Sequence, residues 1–380
     1  MELTVLRKGM DTLDVAFQGA VSAAVLGDMR TARETARKEK SDFPISVNGV
    51  TGKIGETGAR GGYAFRFDTG PDGEIWSIKD NTDMEQWNVR VEVRALALAL
   101  YGYEGVKARL WRVLDAMGAR VVTESVGRAD FAVDFIADDF EIEPVNFVAH
   151  SHSRQNVRRD DPEGEAAQDG FSEEWRGGRC SGVTVGSMPN RQVTVYDKRA
   201  EQVRKVGSPW FKIWGYEKED CPVVWRIEVR AGKRYLADND VYTFGDLEAK
   251  IGDLYRDTLA KIRLVSVRDE SNVTRSVTHP LWASACDEIG QVTDAWASNA
   301  DPADLRQHSR DELAELYRKQ MVGLAVSYGL VLGETARTAR FKVADFFKED
   351  WQSFAASGSD YRRKFKQSRQ RLAFVLKGAT

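Results

Sequence analysis

Three short stretches of this sequence carry residues able to act on a phosphate. Arg128-Ala-Asp130-Phe-Ala-Val-Asp134 and Trp225-Arg226-Ile-Glu228-Val-Arg230 both alternate charged and apolar residues. Between them, Val193-Thr-Val-Tyr196-Asp-Lys198-Arg199 ends an apolar run on a tyrosine flanked by charge. Residues two apart in a strand share a face. That rule puts Arg128, Asp130 and Asp134 on one side of the first stretch, and Arg226, Glu228 and Arg230 on one side of the last. Unpaired buried charges cost on the order of several kcal/mol each, so such a face either lies open to solvent or serves a charged substrate. A tyrosine hydroxyl can attack phosphorus and store the bond energy as a covalent phosphotyrosine. Asp130, Asp134 and Glu228 offer hard oxygens to Mg²⁺ or Mn²⁺. Such a metal polarises a phosphate while Lys or Arg neutralises the charge growing on its oxygens. The plainer reading of the same pattern is a surface sheet laced with ion pairs, Asp130 or Glu228 against Arg226 or Arg230.

These residues need strands to hold them, and the periodicity supplies candidates. Leu13–Phe17, Tyr63–Phe67, Ile75–Ile78 and Asn88–Arg94 alternate as half-buried strands do. The Ala-, Arg- and Glu-rich segment 20–40, with 101–117 and 244–264, has helical spacing; Gly49–Gly62 is glycine-dense and reads as a loop. A repeat runs through this part. Arg90-Val-Glu92-Val-Arg94-Ala95 recurs as Arg226-Ile-Glu228-Val-Arg230-Ala231, and GMDTLDVAF at 9–17 resembles GRADFAVDF at 127–135. The expectation is an α+β fold, a duplicated antiparallel-sheet platform with packed helices, split as 1–118 and 119–275. The two repeats differ by an insertion, placed at 151–182 and read as an exposed loop.

From about 276 the texture turns helical, and a third region, 276–380, is expected there. Ser309-Arg-Asp-Glu312 has the capping-box pattern and leads into Leu313, Tyr317, Met321, Leu324, Tyr328 and Val331 at helical spacing. A second helix presents Phe341, Ala344, Phe347, Trp351 and Phe354, and a third, over 360–377, presents Tyr361, Phe365, Leu372 and Val375. All are read as core. Arg362, Lys366 and Arg369 make a basic stripe beside the last set. Residues 301–380 hold 15 Lys/Arg against 10 Asp/Glu, whereas the whole chain has net charge −3. The basic end is therefore the expected footprint on DNA, with a solvated helix face as its rival.

The ordered series GRADFAVDF, GVTVGSMPNRQVTVYDKRAEQ and WRIEVRAGKRYL resembles the replication-initiation-factor family. That family comprises rolling-circle initiators of plasmids and filamentous phages, with related conjugative relaxases. Its Arg-x-Asp, Gly-Ser before Tyr-x-Lys, and Arg-x-Glu strands match Arg128 and Asp130, Gly186-Ser187 with Tyr196 and Lys198, and Arg226 and Glu228. The resemblance covers 120–240 closely and 1–118 loosely. It implies Tyr196 as nucleophile, Asp130 and Glu228 as metal ligands with Asp134 a lesser candidate, and Lys198 and Arg226 on the phosphate. Arg128 and Arg230 would contact DNA. It implies metal-dependent nicking and rejoining of origin DNA through a 5′-phosphotyrosyl intermediate, the DNA single-stranded or hairpin at the nick and duplex beside it. Host helicase and polymerase, and a homodimer, are the implied partners. A relaxase with the same chemistry and a non-catalytic DNA-binding regulator on the same platform are the alternatives.

Many tyrosine nicking enzymes hold their metal with a His-hydrophobic-His strand; Ala149-His150-Ser151-His152 has serine in the middle and reads as a surface pair. Tyr216, in Trp214-Gly-Tyr216-Glu217, ranks below Tyr196 and suggests a packed aromatic loop. Cys180, Cys221 and Cys286 share no metal spacing and read as reduced thiols of a cytoplasmic protein. MELTVLRKGMDTLDVAF lacks the layout of a signal peptide. At 42% hydrophobic and 30% charged, with no uncharged apolar run of membrane length, the 380 residues are expected to fold as globular domains off the membrane.

Overall fold

The computed structural model describes residues 3–149, 170–269, 272, 275–289, 302–335, 337–372 and 376. The protein is α+β. Its thirteen described strands are β1 (Thr4–Ala20), β2 (Phe43–Val47), β3 (Val50–Ile54), β4 (Phe65–Asp68), β5 (Glu74–Ile78), β6 (Trp87–Val93), β7 (Arg120–Ile136), β8 (Phe147–Ala149), β9 (Phe171–Arg176), β10 (Arg179–Gly186), β11 (Arg191–Asp197), β12 (Val224–Gly232) and β13 (Ile262–Leu264). Its helices are α1 (Ala23–Glu39), α2 (Ala95–Ala116), α3 (Lys198–Val203), α4 (Trp210–Trp214), α5 (Lys233–Ala237), α6 (Phe244–Lys261), α7 (Pro280–Ile289), α8 (Pro302–Val331), α9 (Ala339–Phe346), α10 (Gln352–Ala356) and α11 (Ser359–Arg371). Chain contacts divide it into two compact units, 1–202 with 213–299, and 203–212 with 300–380.

The first unit is built on an 11-stranded antiparallel sheet in the order β2-β3-β4-β5-β6-β1-β7-β12-β11-β10-β9. The order reads alike outward from the β1·β7 seam. β6 flanks β1 as β12 flanks β7, and β5 and β11 stand next on either side. The repeated Arg-x-Glu-x-Arg strands are β6 and β12, so the duplication seen in the sequence occupies equivalent places in the sheet. Alternation then sorts the faces. Leu13, Val15, Phe17, Phe131, Val133 and Phe135 are buried on one side, under helices. Trp111 of α2 packs edge-on against Phe17 with ring centroids 5.7 Å apart, and the Tyr255 hydroxyl of α6 donates to the Ala129 carbonyl at 2.9 Å. α6 starts at a reciprocal cap in which the Asp246 amide donates to the Thr243 hydroxyl (3.1 Å) and the Thr243 amide to the Asp246 carboxylate (2.9 Å). The other side of the sheet carries the charged residues.

Several expectations change. Gly49–Gly62 is not all loop, because Val50–Ile54 pairs with β2 as β3. Of the expected insertion loop, 151–169 lies outside the described residues, while Phe171–Arg176 and the residues from Arg179 are strands that extend the sheet. Their polar side chains line a cleft, which is why hydrophobicity did not mark them.

The second unit is helical, as expected of the C-terminal region. Ser309 and Glu312 cap nothing, since α8 starts at Pro302. They hold the segment around Gly207 instead: the Ser309 hydroxyl donates to the Gly207 carbonyl (2.7 Å) and the Gly207 amide donates to Glu312 (2.6 Å). The helical spacing of apolar residues does not produce a core here. Leu324 is 69% exposed and Val331 86%, and Met321, Tyr328, Phe341, Phe347, Trp351 and Phe365 are exposed too. Tyr361 stacks on Phe365 with centroids 6.1 Å apart, a local pair rather than an anchor. Val375 lies outside the described residues.

Candidate active site

Four neighbouring strands bring the predicted residues together on the charged side of the sheet. In the β11·β12 ladder Tyr196 stands opposite Arg226 and Thr194 opposite Glu228; in β12·β7 Arg226 faces Asp134 and Arg230 faces Asp130. Tyr196 lines a cleft of about 360 Å³ whose walls include Glu174, Thr184, Asp197, Glu201 and Arg230. Across β10, Gly182 faces Tyr196, and a Cβ there would stand 3.1 Å from the tyrosine Cβ. Glycine thus leaves the ring its room. Gly186, the glycine of the Gly-Ser segment, has φ +93° in the turn to β11, where a Cβ would strike the Arg191 carbonyl oxygen at 2.3 Å.

The Tyr196 hydroxyl sits between opposite charges. It accepts from Lys198 Nζ at 3.2 Å and lies 3.5 Å from Glu228 Oε2, to which it can donate. Burial pushes its pKa well above 10; Arg226 works against this and Glu228 adds to it. The resting group is a phenol. Lys198 is itself buried, and burial with the nearby Arg226 lowers its pKa.

Asp130 and Glu228 are the two predicted ligands, and both are buried. Arg128 Nε donates to Asp130 Oδ2 at 2.8 Å, and Arg230 Nε to Glu228 Oε1 at 2.8 Å. Asp130 Oδ1 has no hydrogen-bond partner among the described residues. Burial, then the charge of Glu228, pushes the Asp130 pKa up to about 7 despite Arg128. An orphaned oxygen beside a second carboxylate is the setting a divalent cation relieves, and Mg²⁺ commonly takes one or two carboxylates and completes its shell with water and phosphate. Arg230 holds both oxygens of Glu228, Nε to Oε1 at 2.8 Å and Nη2 to Oε2 at 3.2 Å, so a hard metal at the pair would use Asp130 Oδ1 and displace Arg230 from Glu228. No group of three ligand-type side chains gathers among the described residues, and His150 and His152 lie outside them.

Two predicted residues are placed differently. Asp134 and Arg226 are fully buried against each other, through Nε to Oδ1 at 2.6 Å and Nη2 to Oδ2 at 2.8 Å. The Trp214 indole also donates to Asp134 Oδ2 at 2.9 Å. Both carboxylate oxygens are thereby occupied, which argues against Asp134 as a ligand. Arg226 also reaches Asp11 of β1 at 2.7 Å, so its guanidinium supports the site by tying β12 to β7 and β1 beside Tyr196. Burial would raise the Asp11 pKa, yet Arg226, Lys198 and Arg7 together hold it below the usual carboxylate range.

Sequence reasoning missed Asp11, Trp214, Glu174 and Glu201. Asp11 carried a signal, since it lies in the stretch that resembles 127–135. Tyr216 follows α4 and is half-buried, away from the Tyr196 cleft lining. On the second unit, Arg362, Lys366 and Arg369 are exposed on α11 as expected. No helix among the described residues is long and apolar enough to cross a membrane.

These features define an α+β platform with a tyrosine, a lysine and a carboxylate pair on the charged face of its sheet. No protein-family profile matches the chain, and no curated protein does. Among solved structures, a rolling circle replication initiator protein from Geobacillus stearothermophilus superposes with a TM-score of 0.39 at 14% identity, over 78% of this chain and 100% of that one. A likeness this slight carries no argument about function.

Proposed function

We propose that the protein is a metal-dependent DNA strand transferase that nicks and rejoins one strand through Tyr196, acting as a rolling-circle replication initiator. The observation that carries this reading is the Tyr196 hydroxyl on a cleft, held between Lys198 Nζ and Glu228 Oε2. The motif series that resembles replication initiation factors supports it. In the reaction, the Tyr196 oxygen bonds to a backbone phosphorus while the bond from phosphorus to the 3′ oxygen breaks. The phenol proton passes to Glu228 Oε2, the acceptor within reach, and Lys198 steadies the phenolate as it forms. The leaving 3′ oxygen takes a proton and can prime a polymerase. Asp130 and Glu228 would hold Mg²⁺ or Mn²⁺, which supplies polarisation of the scissile phosphate. Attack by the freed 3′-hydroxyl on the phosphotyrosine reverses the step. A cytoplasmic setting, with host helicase and polymerase as partners, follows from the same reading.

A second reading keeps the platform and drops the chemistry. It is favoured by the ion pairing that occupies Asp130, Asp134 and Glu228. One comparison separates the two: wild type and Tyr196→Phe, each incubated with Mg²⁺ and a panel of origin oligonucleotides. Transfer predicts a covalent protein–DNA adduct for wild type and none for the variant. An adduct that persists in Tyr196→Phe assigns the nucleophile elsewhere, Tyr216 first. No adduct from wild type on any origin favours the regulator.

A further inference from the structure

The charged face does not stop at the catalytic strands. Direct ladder partners share a face, and Gly232, Arg128, Asp14, Glu92, Ile75 and Asp68 are successive partners from β12 through β7, β1, β6 and β5 to β4. Side-chain contacts follow the same line. Arg90 Nη2 donates to Asp14 at 2.9 Å, and Arg94 to Asp68 at 2.8 Å. Arg66, Arg90 and Arg94 keep 37%, 39% and 28% of their side chains exposed although each is tied to a carboxylate. A guanidinium carries five N–H donors in a fixed fork, so a carboxylate that orients it leaves donors for a phosphate.

The two halves differ at one telling place. Opposite Arg226 in the second half stands Tyr196; opposite its equivalent Arg90 in the first half stands Ser77. The first half therefore repeats the arginine-bearing strand without the nucleophile. We propose that this half of the face is a second, non-cleaving site for single-stranded DNA, continuous with the Tyr196 cleft, with Arg66, Arg90 and Arg94 on its phosphates. From β11 to β4 the sheet order makes six strand steps, or ~29 Å at about 4.8 Å each. That length takes roughly eight phosphates at the 3.4 Å spacing of a stacked strand. The identity of the ligand rests on the strand-transfer reading; the placement of the site does not.

The test uses fluorescent oligo-dT of four and sixteen nucleotides, with binding measured across a salt series on the full chain. Wild type should bind the longer strand more tightly and with a steeper salt dependence. Arg66→Gln with Arg90→Gln should lose most of that gain, its slope on the longer strand falling by about 1.4, about 0.7 per lost single-strand contact. Glu92→Gln removes an exposed carboxylate that competes for Arg90 while Asp14 still orients the guanidinium, and it should tighten binding to the longer strand. Tyr196→Phe should keep the whole gain. A double variant that folds, by its melting curve, and retains the wild-type gain and slope overturns the proposal. So does an unchanged affinity in Glu92→Gln. Should wild type form no adduct on any origin while the gain still depends on Arg66 and Arg90, the site stands and the transfer reading falls. An adduct with a gain indifferent to these arginines overturns the second site and leaves the transfer reading standing.

Discussion

Asp130 is a carboxyl buried beside another carboxyl, and both facts move its proton equilibrium the same way, to a pKa of about 7. An unfolded aspartate titrates near ~3.9. Between these values the folded chain binds the extra proton, so this group's contribution to stability falls as pH rises from about 4 to about 7. Asp130→Asn has no such proton. The melting temperature of wild type relative to that variant should therefore drop across this window, and millimolar Mg²⁺ should offset the drop. A difference that is flat with pH would show that the carboxyl is already ionised at low pH. Arg226 makes the opposite case. Arg226→Met strands Asp134 and Asp11 as buried charges, a loss of roughly 3–5 kcal/mol that a denaturant titration reads directly. A cost under about 1 kcal/mol would mean that Arg226 is not the strut described above. At this scale the sequence was legible where chemistry follows alternation: Arg128, Asp130 and Asp134 share a face of β7, and Arg226, Glu228 and Arg230 a face of β12, because residues two apart must. The ladder register that sets Tyr196 beside them was not legible. It was illegible where a partner comes from far along the chain. Nothing local to Asp134 says that Arg226 and Trp214 will consume its oxygens.

Elements set the tolerances of the site. Gly182→Ala would bring a methyl to 3.1 Å from the Tyr196 Cβ, and the ring would have to give way. A displaced nucleophile costs far more rate than stability, up to ~10²-fold for about 1 Å. Adduct formation should therefore fall tenfold or more while the melting temperature barely moves; equal losses in both would mean that β10 itself is disrupted. On α11, Arg362, Lys366 and Arg369 are exposed, so changing all three to Gln should leave stability nearly intact. If they follow the backbone of duplex origin DNA, the slope of log affinity against log salt falls by about 2–3, near 0.9 per contact. An unchanged slope makes the stripe a solvated face. The sheet strands with one apolar face were readable from the sequence, and so was α6, expected over 244–264, though its Thr243 cap was not read. β9 was not, because Ser172, Glu173 and Glu174 carry no hydrophobic alternation. The second unit misled in the other direction: helical spacing of Met321, Leu324 and Tyr328 identifies a helix, but spacing alone does not say that anything covers it.

Across the whole molecule, the seam between β1 and β7 joins residues 4–20 to residues 120–136. The pairs across it are 100 to 132 residues apart in the chain, and Asp11 reaches Arg226 across more than two hundred. The two repeats are thus not independent modules set side by side; the buried polar cluster beside Tyr196 draws on both. This has a consequence for the order in which the chain leaves the ribosome. When the first repeat has emerged, β1 can pair with β6, but its other edge, 17 residues long, waits for a strand not yet synthesised. At about 5–20 residues per second that wait lasts roughly a second to a few seconds, with an open template for a neighbouring nascent chain. A chain stopped at Gly118 should accordingly aggregate during translation, and one extended through Gly232, which supplies β7 and also β12 on the outer edge of β7, should stay dispersed, as sedimentation of arrested ribosome complexes can show. Equal behaviour of the two would mean that the waiting edge is shielded by something other than its eventual partner.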